Sequence, residues 1–162
     1  MSRAFVKEDD GSQPEVLPEL PVSSAPNLVT ARGLQLIEAR IADLEADLEA
    51  ALDGADPLQA PRLRRDLRYW RLRHATARPT APDPADPSVQ FGSRVTYRTE
   101  AGETRTVTLT GEDEADPPAG TIPYIAPVAR ALTGSVAGSS VTVTLRGEPV
   151  ELEIVAVDHP DA

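Results

Sequence analysis

Apolar residues recur every three or four positions from Leu34 onward, through Ile37, Ile41, Leu44, Leu48 and Leu52. That period is the seam of an amphipathic helix, and Thr30 stands where an N-cap belongs. The pattern stops at Asp53-Gly54-Ala55-Asp56-Pro57, in which Gly54 suits a positive φ, Asp56 suits the cap of a second helix and Pro57 its first turn. A second seam runs through Leu58, Leu63, Leu67, Trp70 and His74 or Ala75, ending before Pro79. Two helices of about 20 residues joined by so short a turn predict an antiparallel hairpin about 30 Å long over residues 28–78.

Beyond the hairpin, residues 79–87 are rich in proline and predict a semi-rigid linker. The period then changes to two. Residues 94–99 and 104–109 alternate as strands around Ala101-Gly102-Glu103, a Pro/Gly loop follows, a short helix fits Pro127 to Leu132, and residues 141–145 and 150–157 read as strands joined at Arg146-Gly147-Glu148. The expected fold is α+β: an N-terminal antiparallel two-helix coiled-coil hairpin, then a small antiparallel β domain with one short helix over residues 88–162. Residues 1–27 show no period and contain four prolines, which predicts a disordered tail. Within it, the stretch from Val16 to Leu20 is the part suited to docking on a partner.

Charge sharpens the hairpin. The first helix carries Glu38, Asp43, Glu45, Asp47 and Glu49 against Arg40, while the second carries six arginines against Asp66. Opposite signs flanking a two-stranded seam favour this pairing. Each exposed pair adds at most about 1 kcal/mol, so the Leu/Ile seam supplies most of the stability. The whole chain has a formal charge of −10, which excludes a general nucleic-acid binder. It lacks cysteine, which excludes disulfides and thiolate sites. With no run of 18 apolar residues and no charged-then-apolar leader, a cytoplasmic protein without a membrane partner is expected.

Four groups of residues carry candidate chemistry. Asp53 and Asp56 at the hairpin tip can both point off its end, where they would help hold a divalent ion; equally, aspartate is common in turns and at caps. Arg65 and Arg68 either balance the acidic helix or track an RNA or polymerase surface. Asp113-Glu114-Ala115-Asp116 spells a helicase tetrapeptide, but without a phosphate-binding loop it reads as a turn whose carboxylates satisfy nearby amides. His74 and His159 lie in separate segments without the partners that a zinc site or a triad needs. Trp70 falls on the second seam and reads as packing.

From Val89 to Leu132 the order VQFGSRVTYR, then VTLTGEDEADPPAG, then IPYIAPVARAL resembles the C-terminal domain of the bacterial Gre family of transcript-cleavage and elongation factors. Phe91-Gly92-Ser93, Gly111 to Asp116 and Pro127 to Leu132 carry the likeness, and Thr30 to Leu34 resembles the opening of the family's first helix. The resemblance implies an FKBP-like C-terminal domain docked on the rim of the RNA polymerase secondary channel, with the coiled coil entering the channel. It implies no enzyme and no intrinsic cofactor. In cleavage-active members, tip carboxylates share the polymerase Mg²⁺, and the polymerase itself hydrolyses the backtracked RNA.

By the same resemblance the polymerase-binding residues map to Ile125, Ala126, Pro127 and Arg130. Two departures matter. Ile125 and Ala126 replace the family's usual polar residues, and the first helix is shorter by roughly four turns, about 20 Å. The tip keeps only the spacing of the family's Asp-x-x-Glu-Asn run. The expected function is therefore a monomeric, polymerase-binding regulator of elongation, with assistance to transcript cleavage through Asp53 and Asp56 as the weaker expectation and indirect contact with nascent RNA. The alternative is a non-cleaving member similar to the regulator of nucleoside diphosphate kinase. Two other classes stay open: a prolyl isomerase using Phe91, Tyr97 and Tyr124, and a structural module that dimerises through its hairpin.

Overall fold

The computed structural model describes residues 17–160. Helix α1 spans Ala31–Leu52 and α2 spans Ala60–Thr76. Their seam follows the expected three-four spacing: Gly33, Ile37, Leu44 and Ala51 are buried on α1, with Leu34, Ile41 and Leu48 half-buried beside them. On α2 the buried positions are Ala60, Leu67 and Arg73. Three sequence expectations change here, the first being Leu52, which is 57% exposed at the end of α1 while Ala51 takes the buried place. Leu58 does not join the seam, because Pro57–Gln59 forms a separate 3-10 turn that leaves Leu58 91% exposed. At the other end the buried residue is Arg73 and not His74, because Arg73 meets the Glu112 and Asp113 carboxylates of the second domain while His74 faces Glu38 of α1 at the surface.

The hairpin's base is tied by two short strands that the sequence pattern does not announce. β1 (Leu28–Val29) and β2 (Arg78–Pro79) pair in parallel, Leu28 with Arg78 and Val29 with Pro79. Few charges zip the two helices together: among the described residues the ion pair between α1 and α2 is Arg71 to Glu45 at 2.7 Å, beside a His74–Glu38 contact at 3.4 Å. Packing of the apolar seam holds the helices, as the low value of exposed pairs requires.

The C-terminal part is a five-stranded sheet of β3 (Arg94–Thr99), β4 (Thr104–Thr110), β5 (Thr121–Pro123), β6 (Ser140–Leu145) and β7 (Glu148–Asp158), in the order β5-β4-β3-β7-β6. Helix α3 (Pro127–Leu132) covers one face. The expected α+β class holds, but the sheet is mixed, since β5 runs parallel to β4. A three-residue strand after a Pro/Gly loop has too little alternation to be seen in sequence. Inward residues Val95, Leu109, Val143, Leu152 and Ile154 pack with Leu132 of α3 to form the core. At the β6–β7 turn Arg146 (φ 54°) and Gly147 (φ 85°) are both left-handed, the conformation of a two-residue hairpin.

The stretch expected to be disordered and the linker expected to be semi-rigid both have defined places. Residues 17–27, the described part of the expected disordered tail, run extended along α2; residues 1–16 lie outside the described residues. The side chain of Glu19 meets Arg68 at 2.5 Å, and the buried Asn27 donates to the Arg73 carbonyl at 2.7 Å. In the Pro-rich linker, Pro82 is buried, and His159 Nε2 reaches the Asp86 carbonyl at 2.8 Å while its Nδ1 meets Ser93 Oγ at 3.0 Å. That contact gives His159 a structural task.

Candidate functional site

Three places carry the residues singled out in the sequence. At the hairpin tip, Asp53 ends α1 with its amide bonded back to the Glu49 carbonyl, the Gly54 amide reaches the Ala51 carbonyl, and Gly54 takes a φ of 100°, as its position predicts. Asp56 precedes the 3-10 turn without a side-chain cap bond to the backbone and instead accepts from Gln59 Nε2 at 3.1 Å. Both aspartates are exposed. Two carboxylates fall short of a cation cage, and no group of three or more acidic or histidine side chains able to hold a metal occurs among the described residues.

The basic face of α2 is divided among several partners. Arg65 folds onto neighbouring Asp66 at 2.6 Å and is largely covered, so it does not face outward as a contact residue would. Arg68 stays more than half exposed, its guanidinium held by Glu19, whose hydrogen bond raises its pKa above the ordinary value.

The third place is the loop before α3. Ile125 and Ala126 are half-buried, while Pro127 and Arg130 are exposed. Tyr124 anchors the loop: its ring meets Phe91 edge-on at 5.6 Å between centroids, and its hydroxyl donates to the Pro26 carbonyl at 2.6 Å. Burial, and then the nearby Glu112 carboxylate, push the Tyr124 phenol up. Tyr97 sits in the sheet core. The three aromatics suggested for an isomerase pocket are thus engaged in packing and with one another.

The acidic run has a role that sequence spacing did not give. Arg73 of α2, 2% exposed, places its Nε 2.6 Å from Asp113 Oδ2, and Tyr69 Oη donates to Asp113 Oδ1 at 3.3 Å. Glu112 Oε2 lies 3.8 Å from the same guanidinium, a charge contact without a hydrogen bond. Glu114 accepts from Thr30 Oγ1 at 2.5 Å, and Thr30 Oγ1 in turn accepts from the Gly33 amide at 2.9 Å. A nearly buried carboxylate therefore sits at the positive end of α1, where it is favoured. The run fastens both helices of the hairpin to the loop after β4. Burial, followed by the Asp113 charge, raises the Tyr69 phenol.

A family model described as "Transcription elongation factor, GreA/GreB, C-term" matches residues 84–159, which takes in the linker, the sheet and α3. The chain carries a Gre-family C-terminal domain. Transcription elongation factor GreA of Pseudomonas aeruginosa is 35% identical over 125 residues, 76% of this chain and 64% of that protein. GreA of Legionella pneumophila is 39% identical over 90 residues, 55% of this chain and 56% of that protein. The chain thus spans less than two thirds of the length of these curated relatives. Among solved structures, GreA factor homolog 1 (Gfh1) of Thermus thermophilus matches at 16% identity, covering 83% of this chain and 99% of that one, with a TM-score of 0.40.

Proposed function

We propose that this chain is an accessory factor that binds RNA polymerase near its secondary channel and modulates transcription elongation. The observation that carries the reading is a Gre-family C-terminal domain, residues 84–159, joined through the buried Arg73–Asp113 contact to a helical hairpin. A hairpin fixed at its base can act as a probe whose tip position is set by where the domain docks. Docking falls to the loop of Ile125, Ala126 and Pro127 with Arg130, which Tyr124 holds from behind.

The chain itself is no enzyme in this reading. Any RNA hydrolysis belongs to the polymerase and its Mg²⁺, to which Asp53 and Asp56 would add ligands. The 22 residues of α1 span about 33 Å, short of the reach that the family resemblance sets for cleavage. Binding without cleavage is therefore the form we favour, similar to the non-cleaving regulator of nucleoside diphosphate kinase. Contact with nascent RNA, if made, is indirect, and a monomer suffices.

The test is a stalled, backtracked elongation complex of the cognate polymerase carrying 3′-end-labelled RNA, with binding scored in parallel. Binding without cleavage is the expected result. Cleavage that disappears in Asp53→Ala/Asp56→Ala would put the carboxylates at the Mg²⁺ and overturn the length argument. Absence of binding would remove the polymerase assignment.

A further inference from the structure

The two edges of the sheet are built differently. β5 has three residues and ends in Pro123, a short, proline-bearing edge of the kind that resists further pairing. β6 is six residues of Ser-Val-Thr-Val-Thr-Leu, without proline, glycine or charge, and it pairs on one side with β7 alone. An uncharged edge of high β propensity with unpaired backbone groups is a template for another strand.

Its backbone can be read residue by residue. Ile154 donates its N–H to the Ser139 carbonyl at 2.8 Å and accepts from the Gly138 N–H at 2.7 Å. Alternation along β7 then turns Leu152, Val150 and Glu148 toward β6, where they face Val141, Val143 and Leu145. Pro149, which has no N–H, falls opposite Thr144, outside this ladder. The N–H and C=O groups of Ser140, Thr142 and Thr144 therefore point off the sheet, and no backbone bond to them occurs among the described residues.

The two faces beside this edge differ in chemistry. On the inner face, Val141 and Leu145 are half-buried at the rim of the core. On the outer face, Glu151 lies opposite Thr142 and Glu153 opposite Ser140. A cleft of about 510 Å³ there is lined by Ser140, Glu151, Glu153, Glu100 and Arg98, among others. Arg98 neutralises one of the three carboxylates, meeting Glu153 at 3.2 Å, so the cleft keeps a negative excess.

We propose that the β6 edge is a docking site for an extended segment of a partner protein in which apolar residues alternate with Lys or Arg. The backbone of that segment bonds Ser140, Thr142 and Thr144, its apolar side chains cover Val141 and Leu145, and its cations reach over the threonine row into the acidic cleft. A second copy of this chain fits poorly as the occupant. Edge-to-edge pairing would set two acidic clefts side by side on chains of charge −10 each. The site is separate from the α3 loop and the hairpin tip, and it stands whether or not the chain binds polymerase.

Anisotropy of a fluorescein-labelled peptide of four Lys-Val repeats, titrated with the full chain, tests this. Thr142→Pro removes one outward N–H without touching the ladder to β7, and unchanged thermal unfolding confirms that it folds. Expected are binding by wild type, a loss of about tenfold or more in Thr142→Pro, and weaker, less salt-sensitive binding in Glu151→Gln. Equal binding by wild type and Thr142→Pro would reduce the contact to non-specific attraction to an acidic chain and overturn the proposal. So would no binding by wild type, or a dimer in sedimentation that Thr142→Pro dissolves, which would make a second copy the occupant.

Discussion

Arg73 Nε and Asp113 Oδ2 stand 2.6 Å apart, and through them α2 is fastened to the loop that leaves β4. The guanidinium is almost wholly out of solvent, with Glu112 and Tyr69 completing its surroundings. Removing one partner of such a pair leaves the other charge buried without compensation. Arg73→Met is expected to cost about 3–5 kcal/mol in urea unfolding. Arg73→Lys should recover only part of that, because an ammonium cannot reproduce the guanidinium's geometry. A cost below about 1 kcal/mol for Arg73→Met would show that the hairpin base is held by other contacts.

Gly111 opens the acidic run where β1 passes close behind it. A Cβ there would stand 2.5 Å from the Leu28 carbonyl oxygen, a backbone atom that cannot swing aside. Gly111→Ala should therefore destabilise the protein by about 1–3 kcal/mol, with the loss showing as a lower urea midpoint. An unchanged midpoint would mean that β1 shifts freely.

Alkaline pH should loosen the latch through Tyr69. Its folded pKa lies above the ordinary phenol value, first through burial and then through the Asp113 charge. The folded state thus holds this proton more tightly than the unfolded chain. The resulting stability is complete below the unfolded phenol pKa of about 10 and is lost as pH rises through the folded value. Urea unfolding followed from about pH 9 to about pH 11 should show a decline that is shallower in Tyr69→Phe. Parallel declines in the two proteins would count against Tyr69 as the source.

The hairpin tip should tolerate what its base does not. Asp53 and Asp56 are exposed, and Asp56 makes no cap bond to the backbone, so Asp53→Ala/Asp56→Ala should alter stability by no more than about 0.5 kcal/mol. Thr30→Ala, which removes both the α1 cap and the contact to Glu114, should cost about 1–2 kcal/mol. If the tip pair proved as costly as Thr30, the turn would depend on its aspartates.

Local pattern carried the larger elements. The three-four seam of α1, the Thr30 cap, the left-handed Gly54 and the alternation of β3, β4, β6 and β7 all follow from neighbours in the chain. So does Pro127–Leu132 as a helix. The Gre likeness was legible for the same reason, since it rests on contiguous runs such as Gly111 to Asp116. The candidate site was less legible: Arg65 and Arg68 looked equivalent in sequence, yet Asp66 covers one and Glu19 partners the other.

Chain order, period and turn chemistry by themselves determined a helical hairpin followed by a small α+β domain, because each of those signals acts over a few residues. Only the tertiary structure decided that Arg73 would be buried and matched to an acidic run 40 residues away. Folding likewise decided that residues 17–27 lie along α2, that β5 joins the sheet in parallel, and that β6 is left at an open edge. These depend on which surfaces meet once the hairpin closes on the sheet. A charge's partner and a strand's neighbour are properties of that meeting, and the composition on either side does not specify them.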